Sequence, residues 1–179
     1  MTDAPAAPVP DDKDWTWVLE RPCPECGFDT STVGVADVGA LVRRNASEWQ
    51  RVLGRPDVGD RPEPQVWSPL EYACHVRDVF RIFLVRLERM LDEEGPHFAN
   101  WDQDATALEE RYDLAEPAAV AAELTTAAAA VADRFDRVLP EEHGRTGFRS
   151  DGASFTVETL ARYFVHDPVH HVWDVDRTR

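Results

Sequence analysis

Residues 67–91 read WSPLEYACHVRDVFRIFLVRLERML, and this stretch decides the fold. Ser68 followed by Glu71 makes a capping box, and Pro69 occupies the first helical position, where its missing N–H costs nothing. From there Leu70, Ala73, Val76, Phe80, Phe83, Leu84, Leu87 and Leu91 recur at three- and four-residue steps, the period of one broad helical face and not of a strand. The run ends near Gly95-Pro96. Three further segments share the period. One spans about Val35 to Gly54, with Val38, Leu41, Val42, Trp49, Val52 and Leu53. Another covers about Pro117 to Leu139, alanine-rich and closed by Pro140. The last starts near Thr156 and carries Leu160, Tyr163, Phe164 and Trp173. The connection from Gly95 to Glu116 is long enough to cross a bundle or host a short helix. Residues 148–155 read as a turn or small hairpin centred on Asp151-Gly152. An all-α, four-helix bundle is expected.

The 179 residues suit one domain, and a hydrophobic fraction of 43% is ordinary for a globular chain. Residues 1–14, rich in Ala, Pro and Asp, are expected to form a disordered tail. Residues 15–34, with two tryptophans, a CPECG turn and Phe28, are expected to form an ordered arm; the bundle domain covers 35–179. No apolar run is long enough to span a membrane, and no secretory signal opens the sequence, which implies a cytoplasmic protein. The net charge of −15, from 34 acidic against 19 basic residues, would be repelled by phosphate backbones and anionic lipids. Nucleic acid and membranes are therefore excluded as partners. Three cysteines do not suggest a disulfide framework.

The histidines carry the chemistry. His166 and His170 are four apart in an expected helix, so both imidazoles lie on one face and can converge on one metal. Tyr163 and Trp173 extend that stripe as core or pocket wall. His75, on the flank of the second helix, is the natural third ligand, because bundle cores bring facing helices together. Three neutral imidazoles with open coordination positions suit zinc, nickel or iron(II), and would activate a bound water. Pro168 lies between the paired histidines and should kink the helix or start a new one. His171, turned about 100° from His170, is either a supporting donor or exposed. His97 and His143 fall in loops and are expected to be solvated.

Other groups are open to several readings. Cys23 and Cys26 look like half a zinc knuckle, a redox dithiol or an inert turn; the arm could also fold over the bundle mouth and bring a cysteine near the histidines. Cys74 reads as a small core residue. Asp102 and Asp104 either orient histidines, act as a base or are solvated loop acids. Asp167 could cap the kinked helix, and Arg149 could hold an anionic substrate.

The segments WSPLEYACHVRD (67–78), NWDQD (100–104) and FTVETLARYFVHDPVHHVWDV (155–175), taken in order, resemble the DinB/YfiT-like metalloprotein superfamily. The resemblance covers about residues 35–176. It implies an up-down-down-up four-helix bundle with His75, His166 and His170 binding zinc, nickel or a similar divalent ion. Several relatives are thiol-dependent transferases or isomerases, and the chain looks like the actinobacterial branch, where mycothiol would be the thiol. The resemblance thus implies an S-transferase or isomerase acting on a small-molecule thiol and an electrophile, in a homodimer. Metal-dependent hydrolysis is the alternative within enzymes, and a non-enzymatic metal-binding or stress-response module is the alternative outside them. The CPECG arm is no part of the common bundle pattern.

Overall fold

A computed structural model describes Val9 and residues 13–177; the expected tail at 1–14 lies almost wholly outside them. Four long helices form the body: α1 (Val38–Leu53), α2 (Pro69–Asp92), α4 (Pro117–Phe135) and α5 (Val157–Arg177), with a short α3 (Gln103–Glu109) between α2 and α4. The capping box that starts α2 is present in full. The Glu71 amide donates to the Ser68 hydroxyl at 3.2 Å, and the Ser68 amide donates to the Glu71 carboxylate at 2.8 Å. Asp102 caps α3 by accepting from the Ala105 amide at 2.9 Å. The alanine-rich helix stops at Phe135, short of the expected Leu139. Pro140 disfavours helical backbone in the residue before it, and a 3-10 turn, Pro140–Glu142, follows.

Each of α4 and α5 packs against both α1 and α2. Alanines on α4 allow that helix to lie close, with Ala127, Ala128 and Ala132 all buried. Phe164 of α5 sits at the centre. Its ring stacks on Phe83 at 4.9 Å and Phe135 at 5.7 Å, and meets Phe80 edge-on at 6.0 Å. Such pairs add to the burial of aromatic area.

The expected hairpin is β2 (Thr146–Arg149) and β3 (Ser154–Thr156), antiparallel, with Gly152 at φ +97° in the turn, a conformation that favours glycine. A strand that the periodicity did not show, β1 (His97–Phe98), pairs parallel with β2. Two residues cannot display an alternation, so the long connection gave no sign of it.

The arm folds onto α5 through 3-10 turns at Trp15–Leu19 and Thr30–Thr32. Val18 and Val33 are buried, the Thr30 hydroxyl donates to the Val18 carbonyl at 2.5 Å, and Arg162 of α5 donates to the Val33 carbonyl at 3.0 Å. Pro168 neither ends α5 nor starts a new helix there. The helix runs on through it, and the Pro168 carbonyl accepts a hydrogen bond from Asn45 of α1 at 2.7 Å. Among the described residues, no helix is long and apolar enough to cross a membrane.

Phe164→Ala is expected to lower stability by about 3–5 kcal/mol in urea denaturation, while Val85→Ala, at an exposed site on α2, changes it by less than about 0.5 kcal/mol. Equal effects of the two would show that α5 is not seated as described.

Candidate metal centre

The last helix carries two i, i+4 pairs offset by one residue: His166 with His170, and Asp167 with His171. A step of about 100° per residue points the pairs in different directions. The structure therefore divides the histidines expected to act together. His75 does not join His166 and His170. It gathers with Asp167 and His171, whereas His166 and His170 gather with Cys23 and Cys26 of the arm; within each group the donor atoms lie within 4.8 Å of one another.

In the first group His75 Nε2 lies 3.5 Å from Asp167 Oδ1, and His171 Nε2 lies 3.8 Å from the same oxygen. These separations are long for hydrogen bonds. His75 is fully buried, and neither of its ring nitrogens has a hydrogen-bond partner, nor does Asp167 Oδ1. Leaving such groups buried and unsatisfied costs about 1–3 kcal/mol each, and native structures rarely accept it without cause. Two imidazoles and a carboxylate converging in this way fit a divalent ion such as zinc, nickel or iron(II). Burial alone would raise the Asp167 carboxyl, but His75 and His171 beside it outweigh this and hold it below the usual carboxylate range.

Aromatic rings fix the donors. Trp101 stacks on His75 with centroids 5.1 Å apart and planes within 3°, and Trp67 covers another side at 5.4 Å. Tyr72 packs on His171 at 5.0 Å. His171 Nδ1 lies 3.0 Å from Asp174 Oδ2. The Asp174 carboxyl, despite burial, is held below its ordinary range by His171, so it is ionised and accepts. Asp174 thus takes the Nδ1 side of the ring, and Nε2 faces Asp167.

Asp167, His171, His166 and His170 border a cavity of about 820 Å³, a volume suited to an organic small molecule. Trp15, Trp101, Asp102, Asp104, Arg149 and Tyr163 are among the other residues that line it. The Arg149 guanidinium donates to the Tyr163 hydroxyl at 3.1 Å and to Asp151 at 2.7 Å. Asp102 and Asp104 stand at the wall and in neither donor group. Asp102 is taken up in capping α3. Tyr163 and Trp173 are half-buried and not full core: Tyr163 borders the cavity, and Trp173 covers His170 at 5.3 Å. Cys74 is buried core, its thiol pushed up to about 12 by burial. His97 is exposed and His143 half-buried, both outside the donor groups. Trp101 and Asp174 were not anticipated as site residues. Asp174 could have been found from its spacing, three beyond His171 and four beyond His170.

The chain is a helical bundle with two groups of donors at one end that could hold a metal ion. The chain belongs to the DinB superfamily, which it matches over residues 40–175, so the CPECG arm lies outside the matched segment. Among solved structures it is similar to YfiT from Bacillus subtilis, described as a probable metal-dependent hydrolase with an unusual four-helix bundle topology. The TM-score is 0.62 at 17% identity, covering 94% of this chain and 91% of that one, a likeness of fold. Comparison with curated proteins gives no match.

Because the His75 ring nitrogens are buried without hydrogen bonds, His75→Leu should leave the thermal stability of metal-stripped protein unchanged or higher, while removing metal from this group. A loss of about 2 kcal/mol or more in the stripped protein would show that the imidazole supports the fold itself.

Proposed function

We propose that this protein is a divalent-metal-dependent hydrolytic enzyme whose metal is held by His75, Asp167 and His171. The observation that carries the reading is the buried His75 facing an Asp167 oxygen, both without a hydrogen bond, beside a cavity large enough for a small organic substrate. A divalent ion held by three protein donors supplies Lewis acidity, polarising a substrate carbonyl and lowering the pKa of a nucleophilic water or thiol.

The chain's own residues divide the remaining work. Asp174 holds His171 in one tautomer, and Trp101 and Trp67 keep His75 in place and keep bulk water from it. Arg149, fixed by Asp151 and Tyr163, presents a partly buried cation to the cavity and suits an anionic or carbonyl-bearing substrate. The Tyr163 hydroxyl, kept protonated by burial even beside Arg149, is a hydrogen-bond donor for substrate oxygen. A three-donor site on a cavity supports an enzyme over a purely structural metal site, which would be closed. Thiol-dependent transfer, which the family resemblance implies, would use the same three donors with a small thiol such as mycothiol in place of water.

The test compares stripped protein with protein reloaded with zinc, nickel or iron(II), against activated esters and amides and, in parallel, against electrophiles with added thiol. Turnover that needs metal, and that falls at least about 100-fold in His75→Ala and His171→Ala, is expected. Asp174→Asn should weaken metal affinity about 10- to 100-fold with the fold intact. Products formed with water alone select hydrolysis, and stoichiometric thiol consumption selects transfer. Activity indifferent to stripping would overturn the reading.

A further inference from the structure

The arm and α5 enclose a second donor set. Cys23 Sγ lies 3.6 Å from His170 Nδ1, and Cys26 Sγ lies 3.7 Å from His166 Nε2, with all four atoms within 4.8 Å of one another. A zinc tetrahedron with metal–sulfur bonds of about 2.3 Å and metal–nitrogen bonds of about 2.05 Å has sulfur–nitrogen edges of about 3.6 Å. Two separate thiol–imidazole hydrogen bonds would satisfy the pairs, but would not require the pairs to converge on a common centre. Cys23, His166 and His170 are buried, and Cys26 is half-buried.

The local backbone is shaped for this. The Cys23 amide donates to the Phe28 carbonyl at 2.9 Å, the Gly27 amide to the Cys23 carbonyl at 2.9 Å, and Gly27 takes φ +73°, which favours glycine. This tight turn puts both sulfurs on one side. His170, with Nδ1 towards Cys23, has Nε2 at 3.3 Å from the Glu25 carboxylate, which faces the ring from behind. Glu25 thereby gives the CPECG turn a third point of contact.

We infer that Cys23, Cys26, His166 and His170 form a closed tetrahedral zinc site that fastens the arm to the last helix. All four positions are filled by protein, so this ion has no place for substrate and its role is structural. It fixes Trp15, whose ring lies 5.5 Å from His166 and 5.2 Å from His170 and forms part of the cavity wall. The inference does not rest on the hydrolase reading, because the His75 group contains no sulfur.

Zinc itself is the probe, with cobalt(II) as its spectroscopic substitute in the full chain. Sulfur-to-cobalt charge-transfer absorption and strong visible bands of a tetrahedral ion are expected in the wild type and in His75→Ala. The charge-transfer band is expected to vanish in the Cys23→Ser/Cys26→Ser double variant. As a test that needs no variant, a thiol-binding mercurial is titrated into zinc-loaded wild type. It should release about one zinc per chain. Wild type that shows the charge-transfer band but binds no second ion, with a metal content unchanged in His75→Ala, would fail the hydrolase site alone. A cobalt form without sulfur charge transfer, zinc content unmoved by the mercurial, or a Cys23–Cys26 disulfide in reductant-purified protein would overturn the zinc site.

Discussion

The rotation of about 100° per residue along α5 is the constraint on which the rest of the molecule depends. Within the six residues 166–171, four donors are dealt alternately to two directions. One pair looks towards α2 and meets His75; the other looks towards the arm and meets two cysteines. Neither grouping could form unless α5 were held at a fixed rotation. That rotation is set away from the donors by Phe164, locked among Phe80, Phe83 and Phe135. Asn45 gripping the Pro168 carbonyl sets it again at the level of the donors themselves. Packing on one stretch of the helix thus aims chemistry on the next.

The bundle was legible because long amphipathic segments with explicit caps repeat one signal many times. The Ser68–Glu71 box, the alanines of α4 and the proline stops all agree with one another, and the structure follows them. The division of the donors was less legible. Spacing alone says that His166 and His170 share a face, and this they do. It does not say which partner comes to that face, because that depends on the rotation of α5 against α2 and on the path of the arm. A rotation of one residue decides between His166/His170 and Asp167/His171 as neighbours of His75. Asp167 and His171 were visible only as accessory groups, since an aspartate at i and a histidine at i+4 form a weaker pattern than two histidines. The arm's approach to the histidines was one of several open readings of CPECG, and nothing local to that turn could rank it.

The arm changes what the bundle end can be. The matched segment of the superfamily begins at residue 40, and the arm lies wholly before it. Trp15 and Thr16 nonetheless line the same cavity as Asp167 and His171. A segment outside the shared fold therefore contributes a wall to the cavity within it. Aromatic rings dominate this shell: Trp15 over His166 and His170, Trp101 and Trp67 against His75, Tyr72 on His171, Trp173 on His170. They pack against the imidazoles and restrict how each ring can turn.

The position of Asp174 has an electroneutrality consequence. With a divalent ion in each donor set, two thiolates would cancel one ion, while Asp167 would leave the other with a single positive charge. Asp174, 3.0 Å from His171 and 3.7 Å from His170, and Glu25, 3.3 Å from His170, supply two negative charges, one of which Arg177 offsets from 3.4 Å. The interior of this end of the bundle would then be neutral, although the chain as a whole carries −15. A neutral interior is one that low-dielectric surroundings tolerate.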